Sequence, residues 1–575
     1  MAGYLWSKST GTHADVLVAA GLAQVLASIG RGGQPREVAL KDEGSRYRID
    51  VTPDLESDAI DCWDGDPFYP YIRGVLKGDS GVPAGAIDYA GESKKLDAAR
   101  KRTGGRAKRK RPTVATVEDT TLSAVTEEPH AEIALLRMLN GMRKGFFGDL
   151  HMHKALRANP PREALRARLA ALRKGATRSA DEPAGPQIKL TASQWFTPLT
   201  GKGICRVKAN GVALVQFPSA RLDWFESWMR FVGMYHCLTG HVVSDDIVLC
   251  AIAPGAAGGI PFHTLGTSVR GNLRDRRVGG GNLEVRVILE TTRALVRHSA
   301  EYAEGPNPFR FGRRRPSDVI SGLHVTTYKK MGTASAVMNV AFLGLPGWMA
   351  IETRADAVAC DDVIEDIDIF QRQLVNDKGK VIDADTLRAL REMLATGTLE
   401  ATLTFLARMA VAVTARLTAG AYAQFLSTAT VRRILMAQDE LVKRIIDDAG
   451  FQAVATAMRR ATIHAMLDED SALEPFYGLA QTWKQHASDK PVLASLLGEF
   501  VQRFNTAVAR KVEDSRKKGG ERPRIKLVTE DELASVLQLM EEPGSSSSLV
   551  AHLLLGFGYA QTKRDDSSPL AGKGE

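Results

Sequence analysis

The sequence predicts an α+β protein, an irregular mixed α/β N-terminal body followed by an all-helical C-terminal bundle. Short segments that alternate apolar and polar residues, such as Tyr47–Val51, occur in the first 360 residues and are typical of strands. From about residue 383 to residue 560, apolar residues recur at helical spacing with few prolines. The 575 residues, 44% hydrophobic and 25% charged, have a globular composition and are enough for more than one domain.

Changes in composition along the chain set the predicted domain boundaries. Large apolar residues are nearly absent from residues 92–127, and an acidic run precedes the helical part. The predicted domains are an N-terminal mixed domain at 1–91, a basic flexible insertion at 92–127, a mixed α/β nucleic-acid-binding body at 128–360, an acidic connector at 361–382, the helical bundle at 383–560 and a disordered tail at 561–575.

Individual elements are predicted from the period of apolar residues. The predicted helices of the N-terminal body are 15–29, 127–144 and 161–173, and its predicted strands are 47–51, 247–252, 283–289 and 337–342. The predicted helices of the bundle are 385–394, 399–417, 430–449, 451–466 and 492–512. Because the connections between the bundle helices are short, we expect them to pack antiparallel.

The chain is basic, with 76 Lys and Arg residues against 67 Asp and Glu and a formal net charge of +9. A basic excess favours polyanionic partners. Ten cations crowd between Lys94 and Arg111, so we expect this run to stay mobile until it meets an anion. A solvated linker is the alternative. The residues of this run predicted to bind nucleic acid are Lys108, Arg109, Lys110 and Arg111.

A glycine-rich loop at residues 194–211 carries Lys202, Arg206 and Lys208. Its glycines let backbone N–H groups approach an anion closely and the three cations add charge, so the loop is predicted to bind nucleic-acid phosphates. The Gly-Lys of this loop is not followed by a Ser or Thr that would hold magnesium, which excludes a nucleotide-binding P-loop. An ordinary polar loop is the alternative.

A second concentration of cations, mostly arginine, lies between residues 270 and 330. Arginine suits bidentate phosphate contacts better than lysine. Phe309, Phe311 and Tyr328 lie among these cations. The residues predicted to bind nucleic acid here are Arg274, Arg276, Arg277, Arg313, Arg314, Arg315, Lys329 and Lys330.

Cysteine usage and hydropathy predict a cytoplasmic protein with no membrane partner. The five cysteines are widely spaced and form no Cys-x-x-Cys pair, which predicts reduced thiols and no structural zinc site. The first residues lack the pattern of a secretory signal. The most apolar stretches, such as Val337–Leu345, are shorter than the roughly 20 residues that span a bilayer.

The sequence contains no Walker A motif and no Gly-x-Ser-x-Gly motif. Asp149, His151 and His153 alternate and would share one face of a strand, but no fourth ligand is spaced to complete a metal site. The acidic residues of 361–366 are interpreted as a solvated face. We therefore predict no catalytic residue, no metal site and no cofactor. A metal-dependent nuclease or RNA-processing enzyme using these residues is one alternative, and a helical protein-interaction scaffold is another.

Three segments carry a resemblance to a known family. The first is the glycine-rich loop with its Gln-x-Phe-x-Pro entry at 194–198, its Arg-x-Lys-Ala at 206–209 and the tryptophan-containing helix behind it. The second is the opening helix around Thr10–Ala23, and the third is the C-terminal Leu553–Ala560. Together these segments resemble the large subunit of type I CRISPR surveillance complexes (Cascade).

This resemblance implies a non-catalytic role in CRISPR antiviral defence. In that family the large subunit contacts the 5′ end of the guide RNA, reads the protospacer-adjacent motif in target double-stranded DNA and helps to recruit a helicase-nuclease. Sequence specificity is left to base pairing with the guide. The implied partners are guide RNA, target double-stranded DNA, the other subunits of a multi-protein complex and the helicase-nuclease.

Overall fold

The computed structural model describes residues 3–29, 36–56, 58–61, 63, a few positions between 91 and 98, 152–183 except 154 and 157, 185–186, 223–243, 246–259, 262–273, 280–303, 309–331, 334–376, 380–467, 473–517 and 525–562. Helices and antiparallel sheets are both present, and helices dominate the C-terminal half. The predicted α+β class is therefore confirmed.

The elements are numbered along the chain. The strands are β1 (Gly3–Ser7), β2 (Glu37–Asp42), β3 (Arg46–Thr52), β4 (Leu238–Val243), β5 (Asp246–Pro254), β6 (Ile320–Met331) and β7 (Ala334–Gly344). The helices are α1 (His13–Ser28), α2 (Arg162–Arg173), α3 (Trp224–Cys237), α4 (Phe262–Leu273), α5 (Gly280–Arg297), α6 (Pro316–Val319), α7 (Arg354–Arg372), α8 (Ala384–Thr396), α9 (Leu399–Thr418), α10 (Thr428–Met436), α11 (Glu440–Asp447), α12 (Ala449–Arg459), α13 (Ala465–Leu467), α14 (Leu479–His486), α15 (Lys490–Lys517), α16 (Glu530–Leu539) and α17 (Ser547–Gly558); a π-helical turn, Arg460–His464, joins α12 to α13.

The chain divides into two compact units. The first consists of Met1–Gly280, Asn307–Phe309 and Ser317–Leu343. The second consists of Gly281–Pro306, Arg310–Pro316 and Gly344–Glu575. Helix α5 therefore packs with the helical unit although it precedes residue 383 by about a hundred positions.

The first unit contains two sheets that share one helix. Their strand orders are β1-β3-β2 and β4-β5-β6-β7, and β3 pairs antiparallel with both of its neighbours. Helix α1 contacts β2 and β3 of one sheet and β5 and β6 of the other. Because it is covered on several sides, α1 is buried from His13 to Leu22 and shows no polar face.

Helix α1 crosses α3 with the two backbones in contact. A Cβ atom added to Gly21 would lie 1.9 Å from the carbonyl oxygen of Met229, and one added to Gly233 would lie 1.9 Å from that of Leu17. No side chain fits at such a distance, so the crossing requires glycine at both positions.

The N-terminus of α1 is held by a buried carboxylate. Asp15 is 1% exposed and accepts hydrogen bonds from the backbone N–H groups of Thr10 at 2.9 Å and Gly11 at 2.7 Å. Thr12 caps the helix by accepting from the N–H of Ala14 at 3.3 Å. The opening segment noted in the sequence thus fixes where α1 begins.

Most of the predicted elements are confirmed. Strands β3, β5 and β7 and helices α1 and α2 lie where alternation or helical spacing predicted them. The predicted helix 430–449 is two helices, because Asp439 caps a new helix by accepting from the N–H of Leu441 at 2.8 Å. The predicted helix 127–144 lies outside the described residues.

The strand predicted at 283–289 is wrong, because these residues form the first half of α5. Nearly every residue from 282 to 296 is buried, including Arg286, Glu290 and Arg293, which form the polar stripe of the helix. Over the short window at its start, the alternating Leu283, Val285 and Val287 imitate a strand. Residues 361–372 of the predicted acidic connector are likewise helical and belong to α7.

Ion pairs join α5 to the other helices of the second unit. Arg286, 6% exposed, donates to Asp368, which is 1% exposed. Arg297 donates to Asp361 at 2.9 Å, and Arg391 of α8 donates to Glu284 at 2.8 Å. Removing one member of a buried pair leaves an unpaired buried charge at a cost of about 3–5 kcal/mol.

The C-terminal Leu553–Ala560 segment is buried and is anchored by an arginine. Arg459 donates to the carbonyl oxygens of Phe557 and Ala560, both at 2.7 Å. The Phe557 carbonyl lies in the last turn of α17, at the negative end of the helix dipole, which suits a cation. Desolvation by burial lowers the pKa of Arg459 to about 10.

We predict that Gly21→Ala and Gly233→Ala each destabilise the first unit by about 1–3 kcal/mol, because the added methyl group forces α1 and α3 apart. Hydrogen exchange of peptides from α1 measures this change. Gly498→Ala is the matched control, since a Cβ at this glycine within α15 meets nothing within 4 Å. The control should be neutral or stabilising. Equal protection of α1 in all three variants would contradict the close crossing.

Candidate nucleic-acid interface

Four arginines lie on one short turn, residues 310–315, named here the arginine turn. Phe311 anchors it, being fully buried. The N–H of Gly312 donates to Glu301 at 3.1 Å, the N–H of Arg313 donates to the carbonyl of Ile351 at 3.2 Å, and both residues adopt left-handed backbone angles, with φ of 53° and 72°. These contacts fix a backbone conformation that an arginine seldom adopts.

The four arginines of the turn differ in what they do. Arg314 supports the turn itself, donating to the carbonyls of Phe311 at 2.9 Å and Arg310 at 3.0 Å. Arg313 is 79% exposed and pairs with Glu352, itself 52% exposed, at 2.6 Å. Such an exposed ion pair contributes only about 0–1 kcal/mol to the stability of the folded protein, so a phosphate can compete with Glu352 for Arg313. Arg310 and Arg315 are also exposed.

The arginine turn has the chemistry of a phosphate-binding surface. Guanidinium groups form bidentate hydrogen bonds with phosphate oxygens and stay charged at any physiological pH. Because the backbone beneath them is fixed, less entropy is lost when an anion orders these side chains. The exposed arginines of the turn suit a polyanion that runs along the surface, since phosphate contacts of this kind carry no sequence information.

Other arginines of the same sequence concentration serve the interior. Arg270 is 1% exposed and donates to the carbonyls of Leu238 at 2.9 Å and Tyr235 at 3.0 Å, where α3 ends. Arg286 binds Asp368, and Arg293 lies 3.5 Å from Glu290. Their charges are committed to protein groups and are not on the surface.

The remaining predicted site residues divide by what the structure describes. Lys329 is exposed on β6 of the first unit, and Lys330 follows it on the same strand. The predicted residues outside the described part of the chain are Lys108, Arg109, Lys110, Arg111, Lys202, Arg206, Lys208, Arg274, Arg276 and Arg277.

The tryptophans of α3 are packing residues. Trp228 is fully buried and Trp224 is 7% exposed. Asp223 caps the helix and accepts from Arg168 at 3.0 and 2.9 Å. Burial alone would raise the pKa of Asp223, but the hydrogen bonds from Arg168 outweigh burial and lower that pKa. The helix is therefore fixed in the core of the first unit.

His153 also has the contacts of a core residue. It is 1% exposed, its Nδ1 accepts from Nε1 of Trp228 at 3.2 Å, and its ring lies 4.8 Å from that of Phe231. Asp149 and His151 lie outside the described residues. Within the part of the chain that is described, no three His, Cys, Asp or Glu side chains are grouped to hold a metal ion.

The acidic residues of α7 point in different directions. Asp361 faces Arg297, and Asp366 accepts from the hydroxyl of Thr430 at 2.5 Å. Asp362 and Glu365 are exposed. The expectation of a solvated face therefore holds for two of these four carboxylates, while the other two join α7 to its neighbours.

The described cysteines, Cys237, Cys250 and Cys360, are buried free thiols. One described helix, α9, has the length and mean hydropathy (1.2) of a membrane span, with half of its apolar window buried. Phe405, Met409 and Val413 of this helix are fully buried, which is typical of a core helix.

No protein-family model matches the chain, and no curated protein matches its sequence.

We predict that the double substitution Arg313→Ala, Arg315→Ala lowers the affinity for duplex DNA by about tenfold, because it removes charged phosphate contacts. The slope of log K against log salt should flatten by about one per lost contact, measured by fluorescence anisotropy. Arg388→Ala with Arg444→Ala is the matched control, since these arginines are 68% and 66% exposed and also paired. An equal loss in both double variants would show that the turn has no special part.

Proposed function

We propose that this chain binds nucleic acid without a catalytic centre of its own, as the large subunit of an RNA-guided DNA surveillance complex in CRISPR antiviral defence. The observation that carries nucleic-acid binding is the arginine turn, whose backbone is fixed by Phe311, Glu301 and Ile351 while its cations face solvent. A preorganised cationic surface favours a phosphate backbone and does not require chemistry on the bound strand.

Both units would take part in this function. The arginine turn of the second unit and the basic segments 94–111 and 194–211 of the first unit would contact the phosphates of the guide RNA and the target duplex. The helices of the second unit would pack against the other subunits of a cytoplasmic complex. Base pairing with the guide would supply sequence specificity, and this chain would read a short motif beside the target and help recruit a helicase-nuclease.

Purification of the tagged full-length chain from its native cells tests this proposal. We expect it to copurify with other proteins and with short RNAs that share one repeat-derived 5′ end, identified by mass spectrometry and RNA sequencing. The purified assembly should bind duplex DNA that matches the RNA and leave it intact until a helicase-nuclease is added.

Three other results would contradict the proposal and separate its alternatives. Magnesium- or manganese-dependent cleavage by the chain alone would indicate a nuclease. Protein partners without any RNA would indicate a scaffold. Heterogeneous RNA without a shared 5′ end would indicate general nucleic-acid binding, which keeps the role of the arginine turn but removes the guide-dependent function.

A further inference from the structure

A groove opens in the second unit between α7 and α10, with a cavity of about 500 Å³. Trp348 forms part of its wall and is 4% exposed. The other apolar lining residues are small or flexible side chains, namely Ala350, Ala359, Val363, Ala429, Met436 and Ala437. A cavity of this size holds several side chains of a bound segment.

Polar contacts fix the two walls of this groove. Thr430 of α10 donates to Asp366 of α7 at 2.5 Å, and the N–H of Ser427 donates to the same carboxylate at 3.4 Å. Arg433 donates to the Asp356 carboxylate at 3.2 Å and to its backbone carbonyl at 3.3 Å. These bonds join α7 to α10 at two places, so the groove is preformed.

The charged residues that line the groove are Arg432, Arg433 and Asp362, and within the described part of the chain only the two arginines have a partner of opposite charge. Arg433 is paired with Asp356, and Arg432 is paired with Asp447 at 2.5 Å. Asp362 lines the groove and, among the described residues, has no ion-pair or hydrogen-bond partner. Glu365 follows three positions later on the same exposed face of α7, also without a partner among the described residues. Val358, 43% exposed, precedes Asp362 by one helical turn.

The apolar lining and the Asp362 and Glu365 carboxylates, which have no partner among the described residues, favour a cationic protein segment as the occupant of the groove, rather than a nucleic acid or a second copy of the chain. Asp362 and Glu365 would repel the phosphates of a nucleic acid. A symmetric contact between two copies, with its two-fold axis at the groove, would set these carboxylates against their own counterparts. A lysine or arginine side chain, by contrast, lays an apolar stem on Val363 and Met436 and places its charge near Asp362.

We propose that this groove is a docking site for a basic amphipathic segment of a partner protein, with apolar side chains in the cavity and cations facing Asp362 and Glu365. The site goes beyond nucleic-acid binding and does not depend on it. In this proposal Asp362 and Glu365, the two exposed carboxylates of residues 361–366, bind a protein partner.

The probe is a short fluorescein-labelled peptide with arginine and leucine at helical spacing, and its twin carries glutamate in place of arginine. Anisotropy with the full chain should show binding of the arginine peptide and weaker binding of the twin. Asp362→Lys should lower the affinity for the arginine peptide by about tenfold and raise the affinity for the glutamate twin. Ala437→Trp, at an exposed position of the lining, should block both peptides while circular dichroism stays unchanged.

Asp514→Lys is the matched control, because Asp514 is an exposed acid on α15 without a partner among the described residues. The Asp514→Lys variant should bind the arginine peptide with the same affinity as the unmodified chain. The proposal is overturned if both lysine variants weaken binding equally, if the glutamate twin binds the unmodified chain as well, or if neither peptide binds. Self-association or DNA binding that is lost in Asp362→Lys would also overturn it, by identifying a different occupant.

Discussion

The contact between the backbones of α1 and α3 at Gly21 and Gly233 is the constraint on which the first unit depends. It brings α1 so close to α3 that neither helix has room for a side chain at the crossing. Helix α1 then fills the space between α3 and both sheets, which explains why it is apolar on all sides. The aromatic side chains of α3, including Trp228, complete the same core. A close crossing of this kind has little tolerance for added volume.

Arginines of this protein fall into two physical classes that the sequence alone does not separate. Arg270, Arg286 and Arg459 are buried, and each binds a carboxylate or the carbonyls that end a helix. Arg313 is exposed in a pair of little energetic value. A buried arginine must be matched by protein acceptors because desolvation of its charge is costly, whereas an exposed one remains open to exchange for a phosphate. Only tertiary packing decides which class an arginine joins.

Local periodicity predicts elements such as β3, α1 and α2 correctly, but a short window can be ambiguous. The alternating Leu283, Val285 and Val287 at the start of α5 predict a strand, whereas the helical spacing of Arg286, Glu290 and Arg293 shows only over a longer window. The acidic run 361–368 within α7 suggests a connector because Arg297 and Arg286, which donate to Asp361 and Asp368, lie 64 and 82 residues away in the chain. The groove beside Asp362 combines residues 348–363 with 427–437, a proximity that no local pattern predicts.

We propose that this chain is a polyanion-binding protein whose cations bind a nucleic-acid backbone and leave it uncut. The most direct measurement is anisotropy of labelled duplex DNA, single-stranded DNA and RNA with the purified chain across a range of salt, followed by a denaturing gel of the same samples in magnesium. We expect log K to fall linearly with log salt and every strand to stay full-length. Absence of binding at low salt, an affinity that does not change with salt, or shortened strands would contradict it.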